Sequence, residues 1–431
     1  MWGVLVRGFK QPFSLGEICM LSLQLLRWCL LGTEVLLAGP TLYLCVLAIT
    51  ATLVTQKRKT EKTQLSSTYE LTQFNFAILI PAHNEEVLLG PLLESLSKLA
   101  YPKDHYSVYV VADNCTDSTA HVARSTGWVH VYERFDKVKR SKGYALEWLL
   151  QKLEEDQLIY DAYLIFDADS IVEPNFLQSM AKELAQGTQA QQGRYNVLNT
   201  TESPSTILRW IALTLMNHMR LLARTRLGFS SRLTGIGMCF SRALLERCPW
   251  RVYGLSEDYQ YYLTLIQRDE RIHYVPEAIV DSHMPPTFAE TRTQDIRWES
   301  GYLLKMETWQ TIWQLLKVGL RLRNGNCFDA IAELLTPPLS LMATLCVFVL
   351  ALSLLLWSPL ALLFSLLLIS GLVCHIGSAL YLLRPPAVVY KVLLLYAPRF
   401  ALWKLWVIFV LKWRKKHNTE WVRTTRPVSL K

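Results

Sequence analysis

Apolar residues are bunched at the two ends of this chain and become periodic in its middle. From Phe76 onward, short runs rich in branched and aromatic residues alternate with helical patterns. Ala77–Ile80, Ser107–Ala112, Val129–Tyr132 and Tyr163–Phe166 read as strands, and Val87–Leu99, Ser118–Ser125 and Gly143–Leu153 as the helices between them. This alternation predicts one α/β domain over residues 70–301, built on a mostly parallel, Rossmann-like sheet. Ligands of such sheets gather at the carboxyl ends of the strands. Tyr259–Ile266 and Tyr302–Leu320 add amphipathic helical periods.

The end segments have a different character. Cys29–Val54 carries no charge except Glu34, and Leu335–Trp357 and Leu360–Leu383 carry none. Each is long enough to cross a hydrocarbon core of roughly 30 Å, with Ser358-Pro359 as a tight turn between the last two. Residues 1–28 form an N-terminal segment before the first span (29–54). Cys29–Val54 is not a signal peptide, since it lies far from the start and ends in a Lys/Arg cluster. Ala387–Leu411 includes Lys391, Arg399 and Lys404, each opposing central insertion by about 2.5–3.5 kcal/mol. A helix lying in the interface is the preferred reading for 387–411, with a fourth span as the alternative. The expected order is then interfacial helices over 302–334, two spans over 335–383, the 387–411 stretch, and a basic tail over 412–431.

Composition agrees. Of 431 residues, 51% are hydrophobic and 19% charged, too apolar for an ordinary soluble enzyme. The net charge is +9, but the excess flanks the apolar segments, at Lys57, Arg58, Lys59 and Lys62 and again at Lys412, Arg414, Lys415 and Lys416. That pattern suits anionic lipid headgroups rather than nucleic acid, which is not expected as a partner. Arg321, Arg323 and Arg384 share the bias. The N-terminus is expected outside and the middle domain and tail in the cytoplasm, at a membrane of the bacterial inner-membrane type. The nine scattered cysteines indicate neither a disulfide framework nor a zinc site.

Polar motifs fall where the strands end. Pro81-Ala82-His83-Asn84-Glu85-Glu86 follows the first, Asp113-Asn114-Cys115-Thr116-Asp117 the second, and Asp167-Ala168-Asp169 the strand at Tyr163–Phe166. Carboxylates ending an apolar strand need a cation, a donor or water. Two of them one residue apart suit Mg2+ or Mn2+ bridging phosphate oxygens. Asn114 to Asp117 equally serve as a helix cap. There is no G-x-G-x-x-G after the first strand and no Walker loop, which disfavours a dinucleotide site. Ser256-Glu257-Asp258 reads as an N-cap with acidic first-turn residues, or as the source of a general base. Gln294-x-x-Arg297-Trp298 reads as an interfacial anchor or as part of a site.

Taken in order, P-A-H-N-E-E, A-D-N, K-G-x-A-L (Lys142 to Leu146), D-A-D, S-E-D and Q-x-x-R-W resemble the family-2 inverting glycosyltransferases. The resemblance is to the membrane branch of cellulose, hyaluronan and poly-N-acetylglucosamine synthases, with ceramide glucosyltransferases nearby. It implies a GT-A-type domain with Asp113 at the uracil or ribose of a UDP-sugar, and Pro81, His83 and Glu85 beside it. Lys142 would lie near the nucleotide. Asp167 and Asp169 would meet the diphosphate and a divalent metal, with Asp169 the direct ligand. Gln192, Arg194, Thr234, Gly235, Gln294 and Trp298 would line the acceptor side, Arg297 would face the diphosphate, and Asp258 would be the catalytic base. The Ala82-His83 pair, Ser170 after D-A-D, and Ser256 in place of Thr depart from common family patterns and blur the substrate.

The chemistry is consistent with those roles. A sugar hydroxyl needs a positioned carboxylate to take its proton. The departing diphosphate gains charge that a metal and a guanidinium stabilise. Attack opposite the diphosphate inverts the anomeric centre, so an α-linked donor yields a β-linked product. The leading expectation is β-linked cell-envelope polysaccharide or oligosaccharide made on a carbohydrate acceptor, which with so few spans calls for a homo-oligomer or partner subunit. The alternative is transfer of one sugar to a lipid acceptor entering from the bilayer. An inactive membrane scaffold is the remote third reading, since both D-x-D and S-E-D keep their carboxylates.

Overall fold

In the computed structural model, residues 15–61, 74–254, 256–288, 290, 294 and 309–413 are described. Eight strands form one mixed sheet: β1 (Phe76–Ala82), β2 (Tyr106–Asp113), β3 (His130–Arg134), β4 (Ala162–Ile165), β5 (Ser170–Val172), β6 (Ala190–Val197), β7 (Met238–Ser241) and β8 (Ile272–Ser282). Their spatial order is β3-β2-β1-β4-β7-β6-β8-β5. The pairs β1–β2, β1–β4, β2–β3 and β6–β8 are parallel, while β4–β7, β6–β7 and β5–β8 are antiparallel.

Successive β1 side chains point to opposite faces, and both faces are covered. Ile78 and Ile80 pack with Leu92, Leu93 and Leu96 of helix Leu89–Ser97 and with Met180 of helix Phe176–Ala185. Ala77 and Leu79 pack with Leu146 and Leu149 of helix Lys142–Glu155 and with Tyr262 and Leu265 of helix Glu257–Gln267. Two-sided burial is why β1 reads as a continuous apolar run. Each large side chain so buried contributes about 1.5–3 kcal/mol.

Two sequence expectations shift, and one segment is added. The third strand runs to Arg134 rather than stopping at Tyr132, which places Arg134 opposite Asp113. Ser256 precedes helix Glu257–Gln267 but makes no side-chain cap hydrogen bond. The segment Pro204–Arg226, unassigned from sequence, is helical throughout, with one wide turn at Thr214–Met219. Its start was legible: Ser203 accepts from the Thr206 N–H and Pro204 occupies the first turn.

The apolar helices lie against this domain. Helix Leu15–Glu61 extends well beyond 29–54 at both ends, taking in Glu17 and Arg27 upstream and the Lys57–Lys59 cluster downstream. Cys19–Lys57 and Pro359–Leu383 are long and apolar enough to cross a membrane. Gly325–Leu335 and Leu339–Leu355 form a pair bent by 60°, broken at Pro337-Pro338 because proline cannot continue the hydrogen-bond ladder. The 387–411 stretch lies within one helix, Ala387–Trp413. Within the bundle Glu34 accepts from Ser365 Oγ at 2.5 Å, and Arg27 caps the Leu356 carbonyl at 2.7 Å. A Cβ on Gly371 would lie 2.5 Å from Thr41 Cγ2, so the glycine lets the two helices approach closely. Pro204–Arg226 separates the sheet from the bundle: Ile211, Leu215 and Leu222 pack in one cluster with Leu47, Ala51, Ala379, Val389 and, from β8, Tyr274.

Candidate active site

β1, β2 and β4 run parallel, so their carboxyl ends open on one edge. Pairing of β4 with β1 ends at Ile165 opposite Leu79. Pro81 therefore lies past the last β4 partner, where its missing N–H breaks no ladder bond on that side. The last bond between the two strands runs from the Phe166 N–H to the Leu79 carbonyl.

Asparagines turn both neighbouring strand ends. Asn84 and Asn114 have φ of 56° and 51°, a left-handed conformation that asparagine tolerates better than most residues. Asn84 Oδ1 accepts from the Thr116 N–H at 2.8 Å, and Asn114 Oδ1 from the Asp136 N–H at 2.9 Å. His83 Nδ1 lies 2.7 Å from the Asp113 carbonyl, and the Glu85 N–H donates to Thr119 Oγ1 at 2.8 Å. The P-A-H-N-E and A-D-N motifs are thus one interlocked wall.

Asp113 is held by a residue the sequence reading missed. Arg134 Nη1 lies 2.5 Å from Asp113 Oδ1, and both side chains are nearly buried. Asn114 Nδ2 donates to the same oxygen at 3.0 Å. The signal for Arg134 was its position at the end of β3, which only the corrected strand boundary reveals.

Lys142 joins three motifs. Its Nζ donates to Asp167 Oδ1 at 2.5 Å and to the Gly235 carbonyl at 2.6 Å, and lies 3.4 Å from Glu257 Oε1. Burial works against its charge, but Asp167, Glu257 and Asp258 outweigh it and hold its pKa above the ordinary lysine value. Gly143 brings Lys142 in: a Cβ there would lie 1.9 Å from the Val252 carbonyl oxygen, an approach only glycine permits. Burial pushes Glu257 up to about 7, against the pull of Lys142 and with Asp258 adding to the rise. Glu257 faces inward and is buried, whereas Asp258 is only partly covered. Gly235, at φ +84°, lies directly under the Asp258 carboxylate: an added Cβ would be 3.5 Å from Oδ2.

The remaining residues divide. Gln192 is fully buried; its amide donates to the Ile236 carbonyl at 2.8 Å, and its Oε1 accepts from the Thr234 N–H at 2.9 Å. It therefore shapes the Thr234–Gly235 loop rather than offering its amide to a ligand. Thr234 Oγ1 is buried and has no hydrogen-bond partner among the described residues. Arg194 follows a register shift in β6 and lines a crevice with Trp210, Thr214 and His218. Gln294 is buried; Arg297 and Trp298 lie outside the described residues.

Asp167 and Asp169 stand at the end of β4, with the Asp167 side chain 42% exposed. Among the described residues no group of three or more His, Cys, Asp or Glu side chains gathers as a metal site. A pair of carboxylates fits Mg2+ or Mn2+, which take substrate phosphates and water as their other ligands.

Residues 73–301 match the family model described as "Glycosyltransferase like family 2". The chain is 24% identical over 238 residues to "Probable glycosyltransferase YdaM" of Bacillus subtilis, covering 52% of this chain and 54% of that protein. It is 27% identical over 245 residues to a "Beta-monoglucosyldiacylglycerol synthase" of Nostoc sp., covering 55% and 51%. The chain thus spans about half the length of the curated relatives it matches. Among solved structures, the mannosyltransferase PcManGT from Pyrobaculum calidifontis, in complex with GDP-Man and Mn2+, is similar at 17% identity and a TM-score of 0.47, covering 88% of this chain and 100% of that one.

Proposed function

This chain belongs to the family-2 glycosyltransferases, and on that premise we propose that it transfers a single sugar, with inversion, from a UDP-sugar to a lipid acceptor at a membrane. The observation that carries the reading is the placement of Asp258 over Gly235, beside the Lys142–Asp167 pair at the open strand ends.

In this mechanism the Arg134-bound Asp113 and the loop from Pro81 to Glu85 hold the nucleoside. Asp169 and Asp167 hold the divalent ion, which when bound offsets charge on the diphosphate. Lys142 keeps Asp167 and the Gly235 carbonyl together, so the floor of the acceptor pocket and the donor end share one anchor. Asp258 takes the proton of the acceptor hydroxyl as it attacks the anomeric carbon. Glu257, buried against Lys142, orients that ammonium rather than contacting substrate. Arg297 and Trp298 keep the roles the resemblance implies, at the diphosphate and the acceptor sugar.

A lipid acceptor is favoured over a growing polymer for two reasons. Through the Pro204–Arg226 helical segment the catalytic sheet packs against residues of the apolar bundle, which is a short path from bilayer to site. Three relatives carry the name beta-monoglucosyldiacylglycerol synthase. The basic flanks support a cytoplasmic placement of the catalytic domain.

The test is a donor screen with the full chain in mixed micelles, with and without dioleoylglycerol. A lipid product bearing one β-linked sugar is expected. A long polymer formed without added lipid would return the polysaccharide reading to first place.

A further inference from the structure

Asp258 and Tyr262 lie one turn apart on helix Glu257–Gln267, and residues at that spacing share a face. Tyr262 is fully buried, and its hydroxyl accepts from Arg224 Nη2 at 2.6 Å. The Arg224 guanidinium, 1% exposed, also donates to Asp329 Oδ2 at 2.6 Å and to Glu333 Oε2 at 2.8 Å, both on helix Gly325–Leu335. On its far side Asp329 accepts from the Tyr43 hydroxyl at 3.0 Å, on helix Leu15–Glu61. One guanidinium therefore joins the helix carrying Asp258, the segment Pro204–Arg226, the first half of the bent pair and the long N-terminal helix.

Nothing in sugar transfer calls for a charge at this depth. Apolar side chains of similar volume often stabilise a fold as well as a buried ion cluster does, so the value of such a cluster lies in register. Its geometry is directional: the planar fork fixes three acceptors at once, which apolar packing does not.

We propose that Arg224 is a positioning residue: through the Tyr262 hydroxyl it sets the height and rotation of the Glu257–Gln267 helix against the membrane-side helices, keeping Asp258 over Gly235. This rests on the reading of Asp258 as the base.

Tyr262→Phe removes only the hydroxyl and keeps the ring that packs on Tyr259. In the full chain, with the UDP-sugar the wild type turns over in the donor screen, kcat falls about ten- to a hundredfold. The donor KM stays within about twofold. Arg224→Met behaves similarly, and Arg224→Lys recovers part of the rate. By hydrogen exchange, amides of 257–262 lose protection in Tyr262→Phe while those of β1 and β2 keep it. Unchanged kcat in Tyr262→Phe, with Asp258→Asn inactive, overturns the proposal even if the melting temperature drops. Full turnover by Asp258→Asn instead overturns the base assignment, and the exchange result then judges the tether alone.

Discussion

Arg134 Nη1 and Asp113 Oδ1 lie 2.5 Å apart at the facing ends of β3 and β2. The pair is shielded from water, so its strength is not screened as a surface ion pair would be. It turns a strand-end carboxylate into a fixed element of the candidate site's wall.

Arg134→Met is accordingly expected to destabilise the protein by about 3–5 kcal/mol, the cost of stranding a buried carboxylate. Asp113→Asn added to it restores part of that loss. Chemical denaturation of the single and double variants reads the difference, and additive losses would mean that the two side chains do not act as a pair.

Asp258→Asn should lower kcat by about 10²- to 10⁴-fold, the range for losing a general base, with UDP affinity nearly unchanged. Steady-state release of UDP, together with calorimetric binding of UDP, separates the two effects. A variant with weakened UDP binding and intact turnover would move Asp258 to the donor side.

Glu257 titrates in the fold near 7 rather than at its ordinary 4.5, chiefly through burial. Its folded pKa is raised, so its contribution to stability is complete below about 4.5 and declines as pH rises through about 7. Glu257→Gln should flatten that decline. Melting temperatures across pH 5 to 8 provide the check, and parallel curves for the two proteins would contradict it.

Gly143→Ala places a Cβ 1.9 Å from the Val252 carbonyl oxygen. The backbone must move, at a cost of about 1–3 kcal/mol or more, and Lys142 moves with it. Turnover is therefore expected to fall together with stability, as seen in a melt and a UDP-release assay on the same sample.

Chelation should abolish UDP release, and Mg2+ or Mn2+ should restore it. Asp169→Ala should raise the metal concentration needed for half-activation. Full activity in excess EDTA would exclude the Asp167–Asp169 pair as a metal site.

Much of this protein could be read along the chain. Strands buried on both faces appear as unbroken apolar runs, as in Phe76–Ala82, because burial acts on consecutive residues. Helix Lys142–Glu155 and the strand-end carboxylates appear for the same reason, since helical period and strand ends are local properties of the backbone. The order of the short motifs carried the family.

What no local pattern encodes is which distant side chains meet. Lys142 reaches Gly235 across 93 residues, and Arg224 reaches Asp329 across 105. S-E-D alone leaves both Glu257 and Asp258 eligible as the base. The fold separates them by turning Glu257 toward Lys142 and Asp258 over Gly235. Gln192, taken from sequence as an acceptor contact, has its amide bonded to the Thr234–Gly235 loop. Chain pattern determined which residues stand at the walls of the candidate site; tertiary packing decided which of their polar atoms are engaged within the protein, because hydrogen-bond partners are set by proximity in space and not by separation along the chain.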